Sequence, residues 1–161
     1  MKSFYSINPG EFFVAEDLSD ARPDLEIYFP FHDVGVDLLA VPAKGKSTPV
    51  RIQVKESRPW SGGPFAPHSW HTIRRKKIDD ADIFVFVTYL PKGRHTPATF
   101  ERRHVVIPRT DLKALCRRKK ISSGKFTFYF CFGSGDGRVL DCRENPKGVD
   151  VTRYVDAWHF V

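Results

Sequence analysis

Apolar and polar residues follow a strand-like pattern in two neighbouring segments of the chain. Residues 36–41 are almost continuously apolar, whereas residues 50–55 alternate between apolar and polar side chains. Because successive residues of a strand point to opposite faces, Gln53 and Lys55 share one face of the second segment, opposite its apolar side chains. A turn rich in Pro, Gly and Lys at residues 42–49 separates the two. The pattern predicts strands over 36–41 and 50–56, the second of them central in a sheet.

The sequence pattern predicts further helices and strands in the rest of the chain. The first helix is predicted over residues 10–20, after the start signal Asn8-Pro9, with Phe12, Phe13, Ala15 and Leu18 buried. Further helices are predicted at 70–80, 109–120 and 151–160, and further strands at 25–29, 82–89, 103–107, 125–132 and 138–142. This order predicts one α/β domain over residues 1–161, with a mixed central sheet flanked by helices.

The two central strands bring a carboxylate close to two polar side chains. Asp37 stands near the start of the first strand, and Gln53 and Lys55 lie on one face of the next. A carboxylate and an amide oxygen are hard ligands of the kind that Mg²⁺ prefers. The Lys55 ammonium could stand beside an attacking water or a phosphate. These residues therefore predict a metal-dependent phosphodiesterase site.

The same segment also allows a simpler interpretation, a β-hairpin with an exposed polar face on which Gln and Lys are ordinary residues. The apolar flanks favour burial instead, since a Lys at the inner end of a core strand is costly unless it is paired. A metal-binding carboxylate such as Asp37 would be one such partner.

Three short motifs in this order resemble the PD-(D/E)xK nuclease superfamily. They are Gly10-Glu11 at a helix start, Gly35-Val36-Asp37 at a strand start, and Ile52-Gln53-Val54-Lys55 at the end of the next strand. The resemblance covers about residues 9 to 57. It is greatest to the branch in which Gln replaces the acidic residue before x-Lys, as in some intron-encoded homing endonucleases and relatives of archaeal Holliday-junction resolvases. Val36 stands where the family name has Pro, and Gln53 removes one negative charge.

The resemblance implies a restriction-endonuclease-like fold and a catalytic set of Glu11, Asp37, Gln53 and Lys55. In the family, the first three positions hold Mg²⁺, for which Mn²⁺ can substitute. The implied activity is DNA endonuclease cleavage of duplex or branched substrates. A small domain with one active site needs two copies to cut both strands, so a C2 homodimer is expected.

Two carboxylates of the first helix compete for the third metal position. Glu11 lies in the first turn and shares a face with Ala15 and Leu18, whereas Glu16 is followed by Asp17 in a more solvated acidic stretch. We therefore expect Glu11, rather than Glu16, to point toward the sheet.

The charge distribution fits a protein that binds a polyanion. The formal net charge is +7; residues 1–37 hold eight acidic against two basic side chains, a net −6, and residues 38–161 hold 24 basic against 11 acidic, a net +13. Nine basic residues are predicted to bind the DNA backbone: Arg58, Arg74, Arg75, Lys76, Lys77, Arg117, Arg118, Lys119 and Lys120. The alternative is an ordinary basic protein whose Lys and Arg side chains are only solvated.

A Pro/Gly/Ser-rich loop follows the Gln-x-Lys strand. Its aromatic residues Trp60, Phe65 and Trp70 either pin the loop to the core or contact nucleobases. His68 and His71 come near its end without a third ligand at metal-binding spacing, so they are interpreted as loop or phosphate-contacting residues.

Several classes of protein are disfavoured. No apolar run approaches the ~20 residues of a membrane span, and the first residues lack a signal-peptide core, so a cytoplasmic protein is expected. Three widely spaced cysteines disfavour a disulfide framework or a zinc site. Two functional alternatives stay open: a catalytically inactive nucleic-acid-binding or interaction module that keeps the fold, and an RNA-processing nuclease.

Overall fold

The structure is a computed structural model that describes residues 7–31, 35–44, 48–57, 69–92, 99–133, 137–143 and 147–161. Two α-helices and nine strands are found in these ranges. They are α1 (Pro9–Ala21), β1 (Leu25–Tyr28), β2 (Leu38–Pro42), β3 (Val50–Glu56), β4 (Ser69–Arg74), β5 (Ile83–Lys92), β6 (Thr99–Pro108), α2 (Arg109–Cys116), β7 (Lys125–Phe132), β8 (Val139–Asp141) and β9 (Val149–Asp150). Neither helix has the length and apolar character that a membrane span would require.

The central sheet has the strand order β1-β2-β3-β5-β6. β3 pairs in parallel with β5, and the other neighbours are antiparallel. The predicted mixed sheet with a central Gln-x-Lys strand is therefore confirmed. In the parallel register, Gln53 is the neighbour of Phe84 and Lys55 is the neighbour of Phe86. Because lateral neighbours point to the same side of a sheet, these four side chains share one face.

A second, antiparallel sheet of order β4-β7-β8-β9 covers that face. Phe84 and Phe86 pack with Phe126, Phe128 and Phe130 of β7 in one continuous apolar cluster. The opposite face of the central sheet is covered by α1, whose Val14 and Leu18 pack on the valine and isoleucine side chains of β3 and β5. Gln53 and Lys55 therefore project toward the second sheet, on the side away from most of α1.

Helix α1 begins as predicted but buries a different stripe. Asn8 and Glu11 form a capping box, with Pro9 in the first turn. The buried positions are Gly10, Glu11, Val14 and Leu18, whereas Phe12, predicted to be buried, is 60% exposed. The buried face thus follows the spacing i, i+3, i+7 from Glu11, and Phe12 lies beside it against Phe29 at a ring distance of 5.3 Å.

Residues 70–80 do not form the predicted helix. Ser69, His71 and Ile73 are buried in alternation with exposed Trp70, Thr72 and Arg74, and residues 75–77 form a short 3₁₀ turn. All six residues of β4 pair with residues of β7 that lie 51 to 61 positions further along the chain, and this pairing overrides the local helical pattern.

Three other predicted boundaries also change. α2 ends at Cys116 rather than at residue 120, and the C-terminal segment forms two 3₁₀ turns, Thr152–Tyr154 and Trp158–Phe160, in place of a helix. β6 is ten residues long because it pairs with the whole of β5.

Candidate active site

A cavity of about 470 Å³ opens between the central sheet and the second sheet. Its wall consists of Gly35, Asp37, Gln53, Lys55, Thr72, Ile73, Arg74, Lys77, Phe84 and Lys125. Three of the four residues predicted to be catalytic are therefore brought together at one concave site. Their chemical roles stay predictions.

The backbone of the β2–β3 hairpin fixes Asp37. Its N–H donates to the Ile52 carbonyl at 2.9 Å, immediately before β2 begins. One carboxylate oxygen, Oδ2, accepts the Val54 N–H at 2.8 Å and the Nε2 amide of Gln53. Asp37 is buried, but its charge is stabilised by these donors.

Gln53 and Lys55 reach the cavity because they are two residues apart on β3. Gln53 is buried and Lys55 is half-buried. The Gln53 amide turns its nitrogen toward Asp37, an orientation that follows from the acceptor character of the carboxylate. Carboxylate, amide and ammonium are thus held by one hairpin, which limits their relative movement.

Glu11 is buried at the start of α1, on the side that faces the sheet, in agreement with the predicted orientation. Its Oε1 accepts the Asn8 side-chain amide at 3.1 Å and its Oε2 the Asn8 N–H at 3.4 Å. It is not among the residues that line the cavity. Glu16 is exposed and pairs with Arg102 at 3.1 Å. A metal-binding role for Glu11 stays a prediction.

The sequence did not draw attention to Glu56, the last residue of β3. Its carboxylate accepts the Gly10 N–H at 3.3 Å and the Tyr89 hydroxyl at 2.5 Å. Burial, followed by the Glu56 contact, raises the pKa of Tyr89. A Cβ on Gly10 would lie 2.9 Å from Glu56 Cδ, so the glycine permits this close approach of α1 to β3.

The cavity contains fewer oxygen donors than Mg²⁺ coordinates, so water and substrate oxygens would have to complete the coordination shell. Asp37 provides a carboxylate and Gln53 an amide oxygen. No cluster of three or more His, Cys, Asp or Glu that could hold a metal occurs in the described ranges. Mg²⁺ commonly binds through one or two carboxylates while it keeps several waters and phosphate oxygens, so this donor set fits the ion.

Basic side chains form the outer wall of the cavity. Arg74 of β4 and Lys125 of β7 are direct cross-strand neighbours, and Lys77 pairs with Asp80 at 2.8 Å. Arg75 and Lys76 are exposed beside them. Lys125 was missed by the sequence analysis, because only the long-range pairing of β4 with β7 brings it to the site.

The second predicted basic cluster needs a correction at one position. Arg117, Arg118 and Lys120 are exposed after α2. The Lys119 side chain is only 6% exposed: its ammonium pairs with buried Asp141 at 2.5 Å and lies 4.3 Å from the Phe128 ring centroid. Lys119 is thus part of the packing between α2 and the second sheet rather than of a basic surface. Arg58 lies outside the described residues, as do Trp60, Phe65 and His68.

An aromatic pair stands on the outer face of the second sheet. Trp70, 58% exposed, meets Tyr129 edge to face at 5.3 Å, and the Arg143 guanidinium lies 4.9 Å from the Tyr129 ring centroid. On the same face of β4 and β7, the next cross-strand pairs are Thr72 with Thr127 and then Arg74 with Lys125, which lie at the cavity. The Trp70 side chain therefore projects outward from the second sheet rather than into the core.

His71, interpreted from the sequence as a loop or phosphate-contacting residue, is instead buried inside β4. Its ring centroid lies 5.2 Å from that of Phe86 and 5.7 Å from that of Phe130. The sequence does contain a signal for this position: residues 69–74 alternate in the two-residue period of a strand, which puts His71 on the same face as Ile73.

A search of solved structures shows a similar fold in the bacterial homing endonuclease I-Ssp6803I. The TM-score is 0.51 at 15% sequence identity, and the superposition covers 91% of this chain and 85% of that one. No protein-family profile and no curated protein sequence matches the chain. At this identity the likeness establishes a homing-endonuclease-like α/β fold for the chain.

Proposed function

We propose that the protein is a Mg²⁺-dependent endonuclease that hydrolyses phosphodiester bonds of DNA. The observation that carries the proposal is the convergence of Asp37, Gln53 and Lys55 on one basic cavity. The fold supports it, because a protein of similar fold is a homing endonuclease. The chemistry of the cavity supports the proposed substrate and metal, because a wall of cations suits a phosphate and hard oxygen donors suit Mg²⁺.

In the proposed reaction each side chain of the site has a separate role. Asp37 and Gln53 would hold the ion, with Glu11 as the predicted third ligand; when bound, the ion neutralises negative charge at the reacting phosphate. Lys55 donates hydrogen bonds to the attacking water and to phosphate oxygens, and so stabilises charge that develops in the transition state. The Val54 N–H and the Gln53 amide keep Asp37 in place during the reaction.

The basic wall provides DNA binding. Arg74 and Lys125 stand at the edge of the cavity, where they can hold phosphates that flank the scissile bond. Trp70 and Tyr129 extend this surface with aromatic area. One cavity cuts one strand, so we propose that two copies act as a C2 homodimer on duplex DNA.

One observation favours a second candidate, a nucleic-acid-binding module without catalysis. Among the described residues that line the cavity, Asp37 is the one carboxylate, because Gln53 occupies the neighbouring position. Such a module would bind DNA with the same salt dependence but would not cleave it.

A plasmid assay separates the two candidates. Supercoiled plasmid is incubated with the protein at low ionic strength, with EDTA, Mg²⁺ or Mn²⁺. An endonuclease yields nicked or linear plasmid only with the divalent ion. Retarded but uncut plasmid with every ion would support the binding module, and neither binding nor cleavage would contradict both.

A further inference from the structure

His71 is a buried imidazole with no hydrogen-bond partner in the described part of the chain. The side chain is 3% exposed, and neither Nδ1 nor Nε2 has a partner. The rings of Phe86 and Phe130 pack against it. A buried polar group left unsatisfied is unfavourable, and Phe or Leu would fill such an aromatic site without this cost. A polar residue here therefore calls for an explanation beyond packing.

The position of His71 relative to Lys55 provides one. Lys55 and Phe86 are lateral neighbours that project into the space between the sheets, and the His71 ring contacts Phe86. Ile73, two residues further along the same face of β4, lines the cavity together with Lys55. His71 thus lies in the apolar layer between the two sheets, on the same side of the central sheet as Lys55 and packed against its lateral neighbour Phe86.

The imidazole in this layer is uncharged. Burial first, and then the positive charge of Lys55, lower the pKa of His71 to about 3. A neutral imidazole has one N–H donor and one bare nitrogen that accepts a hydrogen bond. An ammonium has three donors and no acceptor, so the two groups are complementary.

We infer that His71 is a positioning residue for Lys55: its bare ring nitrogen accepts a hydrogen bond from the ammonium through one bridging water and holds it at the inner wall of the cavity. The inference rests on the proposed function in so far as Lys55 acts on phosphate. A water link accounts for a polar contact that the side chains do not make directly.

Two variants separate positioning from packing. His71→Phe removes the acceptor but suits the aromatic site, and His71→Gln restores a neutral acceptor. The first measurement is single-turnover cleavage of a labelled duplex together with DNA affinity. We expect His71→Phe to cleave about ten-fold more slowly with an unchanged Kd, and His71→Gln to recover most of the rate.

The second measurement does not depend on cleavage. Competitive acetylation with acetic anhydride, followed by mass spectrometry, compares Lys55 with Lys125, which lines the same cavity. Losing the acceptor should raise the labelling rate of Lys55 at least three-fold in His71→Phe and leave Lys125 unchanged. His104→Phe is the matched control, because His104 is equally buried but lines a different cavity, beside Trp158; it should not alter Lys55.

Each outcome decides the matter. Slower cleavage with faster Lys55 labelling supports positioning. Unchanged labelling in His71→Phe overturns it, whether or not cleavage falls, because a packing defect alone would then explain the rate. If the wild-type protein cleaves no DNA, the proposed function fails, and the labelling of Lys55 still tests its link with His71. If His71→Phe does not fold, unchanged Lys55 labelling in a folded His71→Leu variant overturns the link equally.

Discussion

At the scale of single residues, the two helix carboxylates are clearly different. Glu11 is buried on the sheet side of α1, and Glu16 is exposed in an ion pair with Arg102. We predict that Glu11→Gln lowers the cleavage rate at least ten-fold and raises the Mg²⁺ concentration needed for half-maximal activity, since in the proposed site it removes a negatively charged metal ligand. Glu16→Gln, the control, should act like the wild type. A Mg²⁺ titration of both variants tests this, and the reverse ranking would contradict the assignment.

His71 predicts a loss of stability in acid. An unfolded histidine titrates near 6.5 and folded His71 near 3, so the unfolded chain binds the proton first. The folded state is therefore fully favoured above about pH 6.5 and progressively less favoured below it. The expected loss at pH 4 is roughly 3 kcal/mol, from about 1.4 kcal/mol per pH unit.

Urea unfolding of the wild type and of His71→Phe at pH 7, 5 and 4 isolates this contribution, because both proteins share the same carboxylates. The difference in unfolding free energy should shift in favour of His71→Phe as the pH falls. Parallel pH profiles would show that the His71 ring is solvated or paired with an anionic group in the folded protein.

At the scale of elements, the sequence predicts best where the pattern is local. The bounds of β3 and β7 agree with the prediction, because a two-residue alternation or a continuous apolar run with clear turns defines each. The pattern of residues 70–80 is ambiguous, because the spacing of His71, Ile73 and Ile78 partly fits both a helix and a strand. Only the pairing with β7 makes residues 69–74 a strand. Phe12 was misplaced because hydrophobicity outweighed the capping box, which in fact sets the buried face of α1.

The ion pair between Lys119, in the turn after α2, and Asp141 of β8 gives an element-scale prediction. Asp141 is 2% exposed and also accepts the Tyr129 N–H at 3.0 Å. Lys119→Met would leave this carboxylate buried without its cation, which typically costs about 3–5 kcal/mol. Arg118→Met, at an exposed neighbouring position, should change the unfolding free energy by less than about 0.5 kcal/mol. Equal urea midpoints for the two variants would refute a structural role for Lys119.

At the scale of the whole molecule, the mixed central sheet and the meeting of Asp37, Gln53 and Lys55 could be predicted, because one hairpin of about 20 residues contains them. The pairing of β4 with β7 could not, since partner residues lie 51 to 61 positions apart along the chain, although the sequence does predict β7 and β8 as strands. The sequence therefore placed the reacting groups but missed the opposite wall of the cavity, including Lys125 and the layer that contains His71.

The basic wall predicts salt-dependent DNA binding. Arg74, Arg75 and Lys76 are exposed at or beside the cavity. Each phosphate contact contributes about 0.9 to the slope of log affinity against log salt concentration. Changing all three residues to Gln should lower that slope by roughly 2 to 3. Arg22→Gln, which removes a cation paired with Asp24, should leave it unchanged. Fluorescence anisotropy between 50 and 200 mM salt measures the slopes. An unchanged slope for the triple variant would show that DNA binds at another surface.

The central claim is that the cavity with Asp37, Gln53 and Lys55 hydrolyses DNA. The most direct test compares single-turnover cleavage of a labelled duplex in Mg²⁺ by wild type, Asp37→Asn and Asp24→Asn. Asp24 is an exposed carboxylate paired with Arg22 and lies outside the cavity wall. We predict wild-type rates for Asp24→Asn and a loss of at least a hundred-fold for Asp37→Asn, with both variants folded and binding DNA. Cleavage by folded Asp37→Asn at a rate near that of the wild type would contradict the account.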